Sequence, residues 1–167
     1  TARTGGSTEV SYAEGRVFFQ KMNLQGPLDR VLKGPLPHEL THILFAHHFG
    51  FAAPRWADEG GAILSEGAIQ GAAHGKVFRK ILDKRGQFPL REFFAMHDYP
   101  ADIPCLYAQG HSVCGFLVAA KGHKVFLAFV RDGRNRSWDD AVKDRYGFEE
   151  GEQREKAWLS WAAKQAD

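Results

Sequence analysis

Two histidines and a glutamate stand close together in the segment HELTH, where His38, Glu39 and His42 form the pattern H-E-x-x-H. Residues four apart on a helix share one face, so both imidazoles can reach one metal ion at about 2.0–2.1 Å, the distance typical of zinc. Glu39 is rotated by about 100° from His38 and borders that face. A carboxylate placed there can take a proton from metal-activated water, which predicts a hydrolytic metal centre.

A third protein ligand is expected from the segment PRWADEGGA, in which Glu59 follows His42 after sixteen intervening residues. A carboxylate is a common third ligand beside two histidines in catalytic zinc sites. Asp58 is the neighbouring alternative, either as a ligand or as an acceptor for a histidine N–H. Gly60 and Gly61 come directly after Glu59, and their small size would let two helices approach closely.

His48 is the competing candidate for the third ligand, because it stands where the metzincin pattern H-E-x-x-H-x-x-G-x-x-H places its last histidine. That pattern needs a glycine at its turn, and Phe45 occupies this position here. On an unbroken helix, His48 would lie about 15 Å along the axis from His38, too far to share an ion. We therefore expect His47 and His48 to be helix-end residues, where positive charge suits the helix dipole.

The segments PHELTHILF and PRWADEGGA together resemble the gluzincin metallopeptidases, the group that includes thermolysin and the aminopeptidase-N-like enzymes. The resemblance implies a zincin-like catalytic domain that binds one Zn²⁺ ion and hydrolyses peptide bonds in a peptide or protein substrate. It implies His38, His42 and Glu59 as the metal ligands, with Glu39 as the general base.

A downstream segment, YAQGHSV, is similar to the Y-x-x-G that carries the catalytic tyrosine of aminopeptidase-N-like enzymes. This implies that Tyr107 donates a hydrogen bond to the oxyanion formed during hydrolysis. His111 is the alternative, because thermolysin-like enzymes use a histidine in that role. The choice between these two residues stays open at this point.

The resemblance covers roughly residues 34–160, with two departures from the family pattern. The sheet that normally precedes the zinc helix is reduced to about residues 8–21, and the amine-anchoring motif G-x-M-E-N is absent. Endopeptidase activity is therefore favoured over aminopeptidase activity. By resemblance alone, an extracellular or periplasmic location is favoured.

The helix and strand signals around these residues predict a helix-dominant α+β fold in a single domain. Strands are expected at about 8–21 around a Glu14–Gly15 turn, zinc-binding helices within 34–71 and a helical subdomain over 72–167. The second and third helices are expected at 58–69 and 74–85.

Several helix ends can also be predicted from local signals. Gly50 should end the HELTH helix, and Gly122 should end a long buried helix that begins near Cys105. Ser137 stands three residues before Asp140, a spacing that predicts an N-cap.

The overall composition excludes several classes of protein. The net charge is +2 and lacks a dense basic run, so no nucleic-acid partner is expected, and no apolar stretch suggests a membrane span. Cys105 and Cys114 are expected to be buried thiols, or a single disulfide if the protein is secreted. The start at Thr1 without an apolar leader suggests a fragment of a longer protein without a signal peptide.

Two other hypotheses for the same residues predict different metal binding or turnover. A zinc-containing binding or scaffold module would keep the metal without turnover, and the reduced sheet motivates this hypothesis because extended peptides usually dock on a strand edge. A helical domain without metal would tolerate His38→Ala as a surface substitution, changing stability by about 0.5 kcal/mol or less.

Overall fold

The computed structural model describes residues 4–149 and 151–165, and it shows a helix-dominant chain with a small antiparallel sheet at its N-terminal end. Two strands precede eight helices in the described residues: β1 (Gly5–Ala13), β2 (Arg16–Gln25), α1 (Leu28–Val31), α2 (Pro35–Phe49), α3 (Arg55–Ser65), α4 (Ala68–Asp83), α5 (Leu90–Phe94), α6 (Ile103–Asn135), α7 (Trp138–Tyr146) and α8 (Gly151–Lys164).

The two strands form a hairpin whose turn is Glu14–Gly15, as predicted. Both turn residues have positive φ, 48° and 73°, which suits the right-handed twist of a tight hairpin. The strands extend beyond the expected 8–21, because the pairing continues to Gly5 opposite Gln25. Apart from β2, no described strand pairs with β1, so the second edge of β1 is free.

Helix α2 carries the HELTH segment and begins three residues before His38. Prolines at its first turn are compatible with the helix because the first N–H groups need no partner within the helix. Gly50 ends the helix in the left-handed conformation, with φ 72°, as predicted. His48 lies at this far end, where Arg131 donates to its ring nitrogen and to its carbonyl oxygen.

The boundary between the second and third helices differs from the prediction. The expected helix over 58–69 is in fact α3, which begins at Arg55 and ends at Ser65, and α4 already begins at Ala68. Gly67 separates them with φ 92°, a conformation that other residues rarely adopt. The apolar pattern runs through this break, so periodicity alone predicted the wrong ends.

Helix α6 forms the centre of the core, packed against α3, α4 and α7. Its two halves meet at Gly122, where φ is 78° and the backbone is not helical, at the position predicted for a helix end. By length and composition α6 could also cross a membrane, which the sequence analysis did not expect, although a core helix of a soluble protein passes the same test.

The two glycines after Glu59 do allow close helix packing. A Cβ atom on Gly60 would lie 2.4 Å from the backbone of Gly110 in α6, and one on Gly61 would lie 2.7 Å from the Phe45 ring of α2. Helix α3 is thus packed closely between α2 and α6. This packing brings Glu59 up to the face of α2 that carries the histidines.

Other local predictions are confirmed. Ser137 accepts a hydrogen bond from the Asp140 backbone and caps α7. Cys105 and Cys114 are both buried and unpaired.

Candidate metal centre

Three side chains converge where α2 faces α3. The Nε2 atoms of His38 and His42 lie 3.6 Å and 3.9 Å from Oε2 of Glu59. One donor atom from each residue lies within 4.8 Å of the others, and all three side chains are largely removed from solvent. This His–His–Glu group can hold a metal ion, and it comprises the three ligands expected from the sequence.

The remaining nitrogen of each histidine is held by a carboxylate. His42 Nδ1 donates to Asp58 at 2.8 Å, and His38 Nδ1 donates to Glu66 at 2.5 Å. Because Nδ1 of each ring is bonded to a carboxylate, Nε2 is the nitrogen that faces Glu59, and it would offer a lone pair to a metal once its own proton is lost. Asp58 therefore takes the acceptor role anticipated for it, while Glu66 was not anticipated.

In the metal-free chain, these carboxylates favour protonated histidines. Burial lowers the pKa of His38, but its hydrogen bonds with Glu59 and Glu66 outweigh this effect and raise the pKa to about 10. The pKa of His42 is also raised despite burial, chiefly by Asp58. Burial raises the pKa of Glu59, but its contacts with His38 and Tyr99 lower it overall, so the carboxylate is ionised. Ion pairs between the histidines and these carboxylates thus hold the site together. A metal ion that bound here would displace the histidine protons.

Glu39 lies beside the triad and is not engaged by another side chain. It is only 5% exposed, and its carboxylate makes no hydrogen bond or ion pair within residues 4–149 and 151–165. The backbone of Gly6 in β1 packs so closely against Glu39 that a Cβ atom added to Gly6 would lie 2.6 Å from Glu39 Cγ. An unpaired carboxylate held next to a metal site can accept a proton from water.

The free edge of β1 lines the cavity that contains the triad. This cavity has a volume of about 700 Å³, and the consecutive residues 6–12 of β1 line one of its sides. The hydroxyl of Thr8 donates to the Glu39 carbonyl at 3.4 Å, which ties the strand to α2. A second cavity of about 660 Å³ is also lined by His38 and Glu39, together with Arg30 and Lys33.

Besides Tyr12 of β1, two tyrosines from other parts of the chain line the first cavity. Tyr107, the expected oxyanion donor, is one of them. Burial and the negative charge of Glu59 raise its pKa, so the phenol keeps its proton. Tyr99 is the other, and its hydroxyl donates to Oε1 of Glu59 at 2.5 Å.

His111, the alternative oxyanion donor, does not line either of these cavities. Its Nε2 atom lies 3.2 Å from the position of a Cβ on Gly71, and its ring centroid is 6.1 Å from that of His74. The side chain therefore faces α4. Of the two candidates, Tyr107 is the one that shares a cavity with the triad.

Two residues of the centre, Glu66 and Tyr99, were missed by the sequence analysis. Glu66 had a usable signal, since it follows Glu59 by seven residues and two helical turns bring such residues to one face. Tyr99 had none, because it reaches Glu59 across forty positions from the loop between α5 and α6.

Comparison of the chain with known proteins finds no matching family model, no matching characterised protein and no matching solved structure.

Proposed function

We propose that this chain is a zinc-dependent metallopeptidase of the gluzincin type, with a zincin-like catalytic domain. The observation that carries the proposal is the convergence of His38, His42 and Glu59 beside the unpaired carboxylate of Glu39. Two imidazoles and one carboxylate are a known donor set of catalytic zinc sites, which keep a further position open. Both imidazoles present the nitrogen that a metal requires, so the residues fit the ion.

In this proposal, a bound zinc ion supplies Lewis acidity, which makes water a stronger nucleophile and polarises the substrate carbonyl. Glu39 accepts the proton of the attacking water and passes it to the leaving amine. Tyr107 donates a hydrogen bond to the carbonyl oxygen as negative charge develops there. Asp58 and Glu66 keep both histidine rings in the required orientation.

The cavities support an extended peptide as the substrate. An unpaired strand edge offers backbone N–H and C=O groups to which another extended chain can bind. Consecutive residues of β1 line the first cavity, and the second cavity shares Gly6, His38 and Glu39 with it. Two cavities that meet at Glu39 would give room for substrate residues before and after the cleaved bond, which favours an endopeptidase.

A peptide-library digestion tests this proposal. The zinc-loaded wild-type chain should cleave internal bonds, and Glu39→Gln should lower the rate by about 10²–10⁴-fold, the usual contribution of a general base. Zinc content should stay unchanged, because Glu39 is not one of the three converging donors. Glu92→Gln is a matched control, since Glu92 is exposed on α5. Equal cleavage by wild type and Glu39→Gln would refute the mechanism.

The second candidate is a zinc-containing binding module without turnover. The small size of the sheet favours it, because the described residues contain only two strands. It predicts full zinc binding and no cleavage of any library member, and the same digestion therefore separates the two functions.

A further inference from the structure

The two oxygens of Glu59 face different partners. Oε2 points toward the histidines, at 3.6 Å from His38 and 3.9 Å from His42. Oε1 instead accepts the hydrogen bond from the Tyr99 hydroxyl at 2.5 Å. One oxygen of the Glu59 carboxylate therefore faces the candidate metal centre, and the other is hydrogen-bonded to the loop before α6.

The Tyr99 ring also contacts Arg55 of α3. The Arg55 guanidinium lies 4.5 Å from the ring centroid, a cation–π contact. The same guanidinium lies 3.7 Å from Asp58, the carboxylate that accepts from His42. Arg55 thus contacts both Tyr99, which donates to Glu59, and Asp58, which accepts from His42, and its contact with the ring favours the orientation in which the Tyr99 hydroxyl meets Glu59.

From this division we infer that Tyr99 is a positioning residue that keeps Glu59 a one-oxygen ligand, by holding Oε1 away from the metal. This inference rests on the metal centre of the proposed function and does not need peptide hydrolysis. Carboxylates bind metals through either one or two oxygens, and a hydrogen bond to the second oxygen opposes two-oxygen binding. A one-oxygen Glu59 leaves more of the coordination sphere open, as a catalytic site requires.

Tyr99→Phe tests the inference, because it removes the hydroxyl and keeps the ring beneath Arg55. The dissociation constant for zinc should rise by about 10–100-fold, the usual effect of losing a hydrogen bond to a ligand. The visible spectrum of the cobalt(II)-loaded chain should weaken, since absorption by cobalt(II) falls when its coordination number increases. Neither measurement depends on turnover, so a failed peptidase assay would leave this test intact.

Tyr12→Phe is the matched control, because Tyr12 of β1 lines the same cavity and makes no hydrogen bond with Glu59 among the described residues. Its cobalt(II) spectrum and zinc dissociation constant should equal those of the wild type. The thermal unfolding of metal-free Tyr99→Phe should stay close to wild type, since Tyr99 is 44% exposed. An unchanged cobalt(II) spectrum in Tyr99→Phe would overturn the inference, even with weaker binding, because Tyr99 would then not set how Glu59 binds.

Discussion

His38 shows at the scale of a single residue how the candidate centre is held together before a metal arrives. Both of its ring nitrogens face carboxylates, one of Glu59 and one of Glu66. Because its pKa is raised from 6.5 to about 10, the proton on His38 stabilises the metal-free fold fully below pH 6.5. That contribution is lost as the pH rises through about 10.

Zinc binding should therefore become tighter with rising pH. The metal must displace the proton from His38, and His42 adds to this effect because its pKa is also raised. We expect the zinc association constant to rise by at least about tenfold per pH unit between pH 6.5 and 8.5, as for release of one proton or more. Competition titrations against a chelator of known affinity would measure it. A constant affinity over this range would contradict the protonated resting state.

Gly6 packs closely against Glu39, the proposed general base, without contributing a side chain. In Gly6→Ala, the new Cβ would lie 2.6 Å from Glu39 Cγ and 2.7 Å from its Oε1, so the flexible Glu39 side chain must move. We expect peptidase activity to fall on the order of 10²-fold, the effect of misplacing a reacting group by about 1 Å. Zinc content should not change.

Gly5→Ala is the control for this prediction, because a Cβ on Gly5 meets nothing within 4 Å. It lies on the same strand and should keep wild-type activity. Equal losses in the two variants would mean that the strand, rather than the position of Glu39, limits the rate.

At the scale of elements, the close contact of α3 with α6 determines where Glu59 lies. Gly60→Ala would place a Cβ 2.4 Å from backbone atoms of Gly110, which cannot move as a side-chain end could. We expect a loss of about 1–3 kcal/mol in the free energy of unfolding, as for other overpacked cores. Weaker zinc binding should accompany it. Chemical denaturation and zinc titration would measure the two effects.

Gly75→Ala is the matched control within helix α4, where a Cβ on Gly75 has open space. It should stabilise the chain by up to about 1 kcal/mol, the difference in helix propensity between glycine and alanine. If Gly60→Ala behaved like this control, the proposed helix contact would not constrain Glu59.

The elements around the site differ in how well their sequence predicts them. The triad could be predicted from the HELTH spacing, from Glu59 in the second turn of α3 and from the glycine pair behind it, because each depends on helix geometry. The α3–α4 boundary was predicted wrongly, since the break at Gly67 interrupts an apolar pattern that continues on both sides. Tyr99 could not be predicted, because the path of a loop depends on tertiary packing.

For the whole molecule, the candidate centre lies where three parts of the chain meet. The hairpin supplies Gly6 and the free edge of β1, the paired helices supply the triad, and the loop before α6 supplies Tyr99. This arrangement suits the proposed function, in which an extended peptide would lie across the candidate metal centre.

The most direct test of the account is the metal content per chain, measured by mass spectrometry on the wild type and on Glu59→Ala, both purified without added metal. The account predicts near one zinc per wild-type chain and a strong loss in Glu59→Ala, because Glu59 is one of the three converging donors. A wild-type chain that holds no metal, even after zinc is offered, would contradict the proposed metal centre and the peptidase function with it.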